Sequence, residues 1–217
     1  MSPRDRILDA AMTVFRRHGF RRSSIEETAE AAGLTRQALY HHFKSKEALF
    51  RAVIERVHDG ALADGAAAVE RAEAAGKGLA DILVAQIAAR LHAFVASFDG
   101  SPHVEELFSE HLNHARDLYQ HYAALHDAQV AATIERAIKR QKLTLASGMT
   151  AAKLARYVEL AVTGTKSAYP SMRPADAFLR DAEAMLRMLI AGAIAPSKPK
   201  NPSPSARPVR RKAGARK

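Results

Sequence analysis

Thr35, Arg36 and Gln37 stand consecutively in the stretch GLTRQALYHHFKSKEALF, residues 33 to 50, and Lys46 follows further along. A guanidinium is a planar fork of donors that can bond guanine at two atoms at once, and a primary amide can do the same for adenine. Threonine hydroxyls, backbone N–H groups and ammonium groups suit phosphate oxygens. The set has the chemistry of a groove reader, provided a rigid element presents Arg36 and Gln37 on an exposed face. A second concentration lies downstream. His92, His103, His111, His114, His121 and His126 put six of the ten histidines within 35 residues. His111, His114, Leu118 and His121 follow at helical steps beside Glu110. Two histidines and a carboxylate could ligate Zn²⁺, but the spacing matches no recognised metal motif, and no metal or cofactor is expected.

The elements needed to position the first set are written locally. Ser2-Pro3 caps a first helix whose Leu8, Ala11, Met12 and Phe15 share one face, and Gly19 ends it. Ser24-Ile25-Glu26-Glu27 is a capping box that opens a short second helix, closed by Gly33. Thr35 caps the third, in which Leu39 and Phe43 turn inward against Leu8, Phe15 and Leu49. A long fourth helix starts near Lys46. Two short helices joined through Gly33-Leu34 form a helix-turn-helix arrangement, whose last helix can lie in a DNA major groove.

The remaining chain also reads as helix, so the fold class is all-α. Leu79, Ile82, Leu83, Ile87, Leu91, Phe94 and Phe98 form a broad apolar face, and Asp99-Gly100-Ser101-Pro102 breaks the chain. Residues 104 to about 141 contain neither glycine nor proline and allow one bent helix or two. Final helices are expected from about Thr150 to Ala168 and from about Arg173 to Ile194. No strand-like alternation is evident. The expected domains are residues 1–50, a helix-turn-helix unit; 51–195, a helical second domain; and 196–217, a disordered basic tail.

Composition narrows the function. The chain has 217 residues, 47% apolar and 26% charged, with no cysteine, so disulfides and thiolate chemistry are excluded. The formal charge is +10, but eight of the 33 basic residues lie in 196–217, which has no acid; the other 25 face 23 acids. A specific nucleic-acid site must therefore rest on local geometry, while RPVRRKAGARK would attract phosphates without sequence preference. No secretory leader is apparent, and no apolar run approaches the length needed to span a bilayer, so a cytoplasmic protein is expected. Without a glycine-rich phosphate loop or nucleophile elbow, an enzyme is not expected. An architectural DNA-binding protein is a weaker alternative because of the large second domain.

Residues 7 to 50 resemble the DNA-binding domain of tetracycline-repressor (TetR) family transcription factors. The pattern runs through Ile7-Leu8-x-Ala10-Ala11, Phe15, Gly19-Phe20, Ile25, Ala29, Ala32-Gly33-Leu34-Thr35, Leu39-Tyr40-x-x-Phe43 and Lys46-x-x-Leu49-Phe50. Thr28 departs from it, standing where the family usually has an aliphatic residue, which implies a slightly looser core. The resemblance implies that Arg36, Gln37 and His41 meet base edges and that Thr35, Tyr40 and Lys46 meet phosphates. It also implies a homodimer formed by the last two helices, through Leu154, Val158, Ala161, Thr165, Phe178, Ala182, Met185 and Leu189. Two reading helices would then lie ~34–36 Å apart or somewhat more, so the DNA partner is an inverted-repeat operator. A repressor released by an unknown small-molecule effector follows, with no membrane partner. Phe94, Phe98, Leu107, Phe108, Tyr119 and Tyr122 are the expected walls of an apolar effector cavity, with His111 orienting a polar group.

Overall fold

Nine α-helices and one 3-10 turn make up the computed structural model, which describes residues 2–195; the basic tail lies outside the described residues. The first three helices are α1 (Pro3–Arg22), α2 (Ile25–Ala31) and α3 (Arg36–His42). Their starts follow the sequence signals closely. Ser2 and Asp5 form a capping box, Ser24 and Glu27 form another, and the Thr35 hydroxyl accepts from the Ala38 N–H at 3.1 Å. Gly19 interrupts α1 with φ 77°, and the chain makes one more turn before it ends at Arg22. Leu39 and Phe43 are buried as the spacing requires, which fastens α3 to the body while leaving its other face free. Each such burial contributes roughly 1.5–3 kcal/mol. Thr28 is also fully buried, but its hydroxyl donates to the Ser24 carbonyl, so the departure from an aliphatic residue leaves no orphan donor.

Helix α4 (Lys46–Ala74) is 29 residues, about 43 Å long. It passes without interruption through the expected domain boundary at residue 50. Its first half completes the N-terminal core with Leu49, Phe50, Val53, Ile54 and Val57, and this core extends to Phe98, Val104, Leu107 and Ala115. A second core joins α5 (Leu79–Phe98), α7 (Arg116–Gln141), α8 (Ala151–Ala168) and α9 (Ala175–Ala193). Phe94 and Phe108 pack against both cores. By length and composition α5 is apolar enough to cross a membrane, contrary to the expectation that no segment would be. Its residues Gln86 and Arg90 are nevertheless buried within the helical body, so the apolarity serves the protein core.

Residues 104–141 form two helices, α6 (Val104–His114) and α7, parted at Ala115. Ala115 is fully buried with φ −141° and ψ 30°. The cause is tertiary. Arg51 of α4 donates to the His114 carbonyl at 2.6 Å and clasps Asp117 through both carboxylate oxygens at 2.7 and 2.6 Å. This pair satisfies the broken helix and holds the Asp117 carboxyl down at about 2. A 3-10 turn (Pro170–Met172) separates α8 from α9. Among the described residues there is no strand, only an isolated bridge between Leu145 and Ile194.

Candidate functional site

The exposed face of α3 carries Arg36, Gln37 and His41, and Thr35 is exposed at its start. Arg36 is not idle. Its Nε lies 2.7 Å from the Glu26 carboxylate on α2, and its guanidinium sits 5.5 Å from the Tyr40 ring centre. Both neighbours raise its pKa, the bond with Tyr40 first. The pair is solvent-exposed and therefore easily exchanged for another acceptor. Tyr40 is half-buried and packs against the N-terminal core, so its ring props Arg36 upright.

Lys46 is placed differently from the phosphate contact expected of it. Its Nζ donates to the carbonyls of Phe20, Arg21 and Ser23 at 2.9, 3.2 and 3.1 Å, and lies 4.6 Å from the Phe20 ring centre. An ammonium has three donors, and all three are used. The physical reason is the end of α1, whose last carbonyls have no partners within the helix. The neighbouring Lys44, in the bend before α4, is exposed. The sequence reading passed over it because it belongs to no motif position.

The end of α1 is also where the N-terminal helices meet α6. Glu106 accepts the Arg21 backbone N–H at 2.8 Å, and Glu110 accepts Arg21 Nε at 2.8 Å. The φ of 77° at Gly19 suits glycine, and a Cβ there would lie 2.6 Å from the Glu106 carboxylate, which would have to move aside. Ser101 donates to the Arg16 carbonyl at 2.7 Å, and Arg16 in turn donates to the Asp99 carbonyl. Three side chains from the 101–110 segment therefore grip the C-terminal end of α1.

The opposite face of α6 looks into a cavity of about 340 Å³. Phe94, Phe108 and His111 line it as expected. Phe98 and Leu107 do not; they are 3% and 0% exposed in the N-terminal core. Tyr122 lies behind the wall, where it donates to Asp59 at 2.6 Å and stacks on His58. Tyr119 lines the cavity, as expected of the aromatic set. His58, Arg90 and Lys166 also line it and were missed. They come from three different helices, α4, α5 and α8, so no local spacing joins them. One signal was available: Arg90 is a lone charge on the apolar face that carries Ile87, Leu91 and Phe94.

The kink at Ala115 divides the anticipated histidine stripe. His111 is buried in the cavity wall with its Nε2 3.3 Å from that of His58. His114 instead meets Glu110 at 3.1 Å, and His121 is exposed. Burial holds His58 at about 3 and His111 at about 4, so both imidazoles are neutral near pH 7. A separate trio, the buried His126 and Glu159 with the half-buried Asp127, brings one donor atom from each within 4.8 Å. The cationic Arg90 and Lys166 act on the same carboxylate, Glu159. They oppose a divalent cation there.

The comparisons with known proteins agree with this layout. The model of bacterial regulatory proteins, tetR family, matches residues 7–53, which span α1 to the start of α4. Residues 7–53 are thus similar to the N-terminal region of that family. The transcriptional repressor ComR of Escherichia coli is 45% identical over 56 residues, covering 26% of this chain and 27% of that protein. The transcriptional regulator UidR of the same species is 42% identical over 60 residues, covering 28% and 31%. The chain thus aligns with less than a third of these curated relatives' lengths. SmeT, the repressor of the Stenotrophomonas maltophilia multidrug efflux pump SmeDEF, superposes with a TM-score of 0.59 at 24% identity, over 88% of this chain and 90% of that one. The TetR-family regulator PfmR of Thermus thermophilus gives 0.57 at 22%, over 87% and 98%. At such identities the likeness establishes the shared fold of both domains. The relatives are named as transcriptional regulators, not enzymes.

Proposed function

We propose that this tetR-family protein is a cytoplasmic, dimeric, sequence-specific transcriptional repressor whose grip on an inverted-repeat operator is released by a small molecule. The observation that carries the reading is α3. A helix fastened by Leu39 and Phe43 presents Arg36, Gln37 and His41 to solvent inside a domain matched to DNA-binding regulators. Arg36 and Gln37 have the donor geometry for guanine and adenine edges, and His41 extends the same face. Thr35 and Tyr40 flank them as phosphate contacts. Lys44 replaces Lys46 in that role, because the Lys46 ammonium is committed to α1. On binding, Arg36 exchanges Glu26 for a base, which costs little at an exposed pair.

Dimerisation is supported by the outer face of α8 and α9. Tyr157, Leu160, Met185 and Met188 are 43%, 49%, 40% and 69% exposed there. Leu154, Val158, Thr165, Phe178 and Ala182, expected at the interface, are buried within the chain instead. Their work is to hold α8 against α9, so that the remaining stripe faces outward. A two-fold pairing through that stripe is self-complementary and suits a palindromic site.

Release is supported by the position of α6. Phe108 and His111 face the cavity, while Glu106 and Glu110 hold α1. A ligand that favours one setting of α6 changes the seat of the reading head, and acts only through its differential affinity for the two settings. Selection of bound sequences from a random DNA pool, at a salt concentration that suppresses non-specific contacts, tests the reading. An enriched inverted repeat supports it. Binding without sequence enrichment overturns it and favours an architectural protein acting through the basic tail.

A further inference from the structure

Every charged side chain that lines the cavity is cationic: Arg90 and Lys166. Arg90 is only 7% exposed, and among the described residues its guanidinium has neither a hydrogen bond nor an ion pair within 4 Å. Its nitrogens are not among the fully buried unpartnered atoms, so the charge opens onto the cavity, where an anionic occupant would give it a direct partner. Lys166 reaches the same space from α8 and is half-buried, with its ammonium 5.7 Å from the Tyr119 ring centre. The carboxylate whose field reaches both cations is Glu159, which does not line the cavity; its Oε1 accepts from the Thr163 hydroxyl at 3.2 Å, while its buried Oε2 has no hydrogen-bond partner and lies 3.6 Å from His126 Nδ1. Asp127 also acts on Arg90 from outside the wall, and burial raises its own carboxyl above the usual range. The remaining walls are apolar or neutral, with Leu91, Phe94, Phe108, Leu112 and Met172 around the uncharged His58–His111 pair.

We propose that the cavity is built for an apolar molecule ending in a carboxylate, with Arg90 and Lys166 as its counterions. The assignment rests on the reading of the cavity as the effector site and narrows it to one chemical class. The guanidinium can meet both carboxylate oxygens in a fork, and the ammonium adds a point charge. The apolar end occupies the aromatic seam beneath α6, where Phe94 and Phe108 touch both cores. At about 340 Å³ the space is at the small end of ligand cavities. Burial and the nearby Arg90 press the Lys166 amine down to about 8, a strain that a bound anion relieves.

The test is calorimetric titration of the full-length protein with straight-chain and aryl-alkyl carboxylates of graded length, each beside its primary amide and primary amine. The carboxylate that fits is expected to bind at least about tenfold more tightly than its amide, and the amine to bind more weakly than either. Arg90→Gln and Lys166→Met should each bring the carboxylate-to-amide ratio towards one without weakening the amide, whereas Arg90→Lys should keep part of the preference. Amides or amines that match the carboxylates in the wild-type protein overturn the proposal while leaving the cavity a ligand site. Failure of all three series to bind overturns the reading of the cavity as an effector site as well. The wild-type comparison needs no variant, so it stands even if a substitution harms folding.

Discussion

The reading head and the cavity differ in how they are built. On α3 the functional side chains are neighbours in sequence, carried by one short helix whose cap and inward residues are also local. In the cavity, His58, Arg90, Phe108, Tyr119 and Lys166 come from five helices spread over more than a hundred residues. The first is a surface whose polar groups await a partner in water. The second is a largely apolar space between two cores, where burial sets the charge state of His58 and His111. A local surface can be matched to relatives by its pattern, as residues 7–53 are. An assembled cavity has no such pattern, and its specificity can differ among proteins that share the fold.

The contrast can be broken at its most sensitive point, the face that would unite two reading heads. Leu160→Glu places a charge on the exposed apolar stripe of α8 and α9 without touching either core. Light scattering should then show a monomer, and operator affinity should fall by about a hundredfold or more as the second head is lost. A dimer that survives this change would move the interface elsewhere.

Lys46→Met sharpens the comparison within the reading head. Three carbonyls at the end of α1 would lose their donor, so chemical denaturation should show a loss of about 1–3 kcal/mol. The salt dependence of DNA binding by the folded variant should stay unchanged. An unaltered stability with a flatter salt slope would return Lys46 to the phosphate.

The cavity predicts a pH signature that the reading head lacks. His58 and His111 are held at about 3 and about 4, and burial lowers His126 too, against 6.5 for an ordinary histidine. Below 6.5 the unfolded chain therefore binds protons that the folded chain refuses. Their contribution is fully present above about pH 6.5 and is lost as pH falls towards 4. The melting temperature should drop across that window, and replacing both His58 and His111 with Phe should flatten the drop. An equal drop in the double variant would assign the effect to other groups. The smallest effect is expected from Lys44→Ala, which should leave stability alone and reduce the salt slope of operator binding by about one unit.

How much of this was legible depended on where the cause of each feature lay. The capping boxes at Ser2 and Ser24, the Thr35 cap and the inward pair Leu39 and Phe43 are local, and sequence spacing alone located them. Lys46 was assigned to DNA because its motif position is readable, whereas the three carbonyls that claim it become visible only when α1 and α4 are packed. The break at Ala115 has no glycine or proline to announce it; it depends on Arg51 reaching from α4. That break removed the histidine stripe drawn on an unbroken helix. Phe98 and Leu107 were taken for cavity walls because their helix faces were right, but the seam between the cores runs past them. Arg90 was the one cavity signal in plain view, a charge inside an otherwise apolar face.

The most direct test of the central claim, that α3 reads bases, is fluorescence anisotropy of Arg36→Ala on the selected operator and on variants carrying each alternative base in turn. The account predicts a loss of about 1–3 kcal/mol confined to one base position in each half-site, where discrimination relaxes. A uniform weakening across all the DNA variants would contradict it, making Arg36 a backbone contact and leaving α3 without its principal base-reading residue.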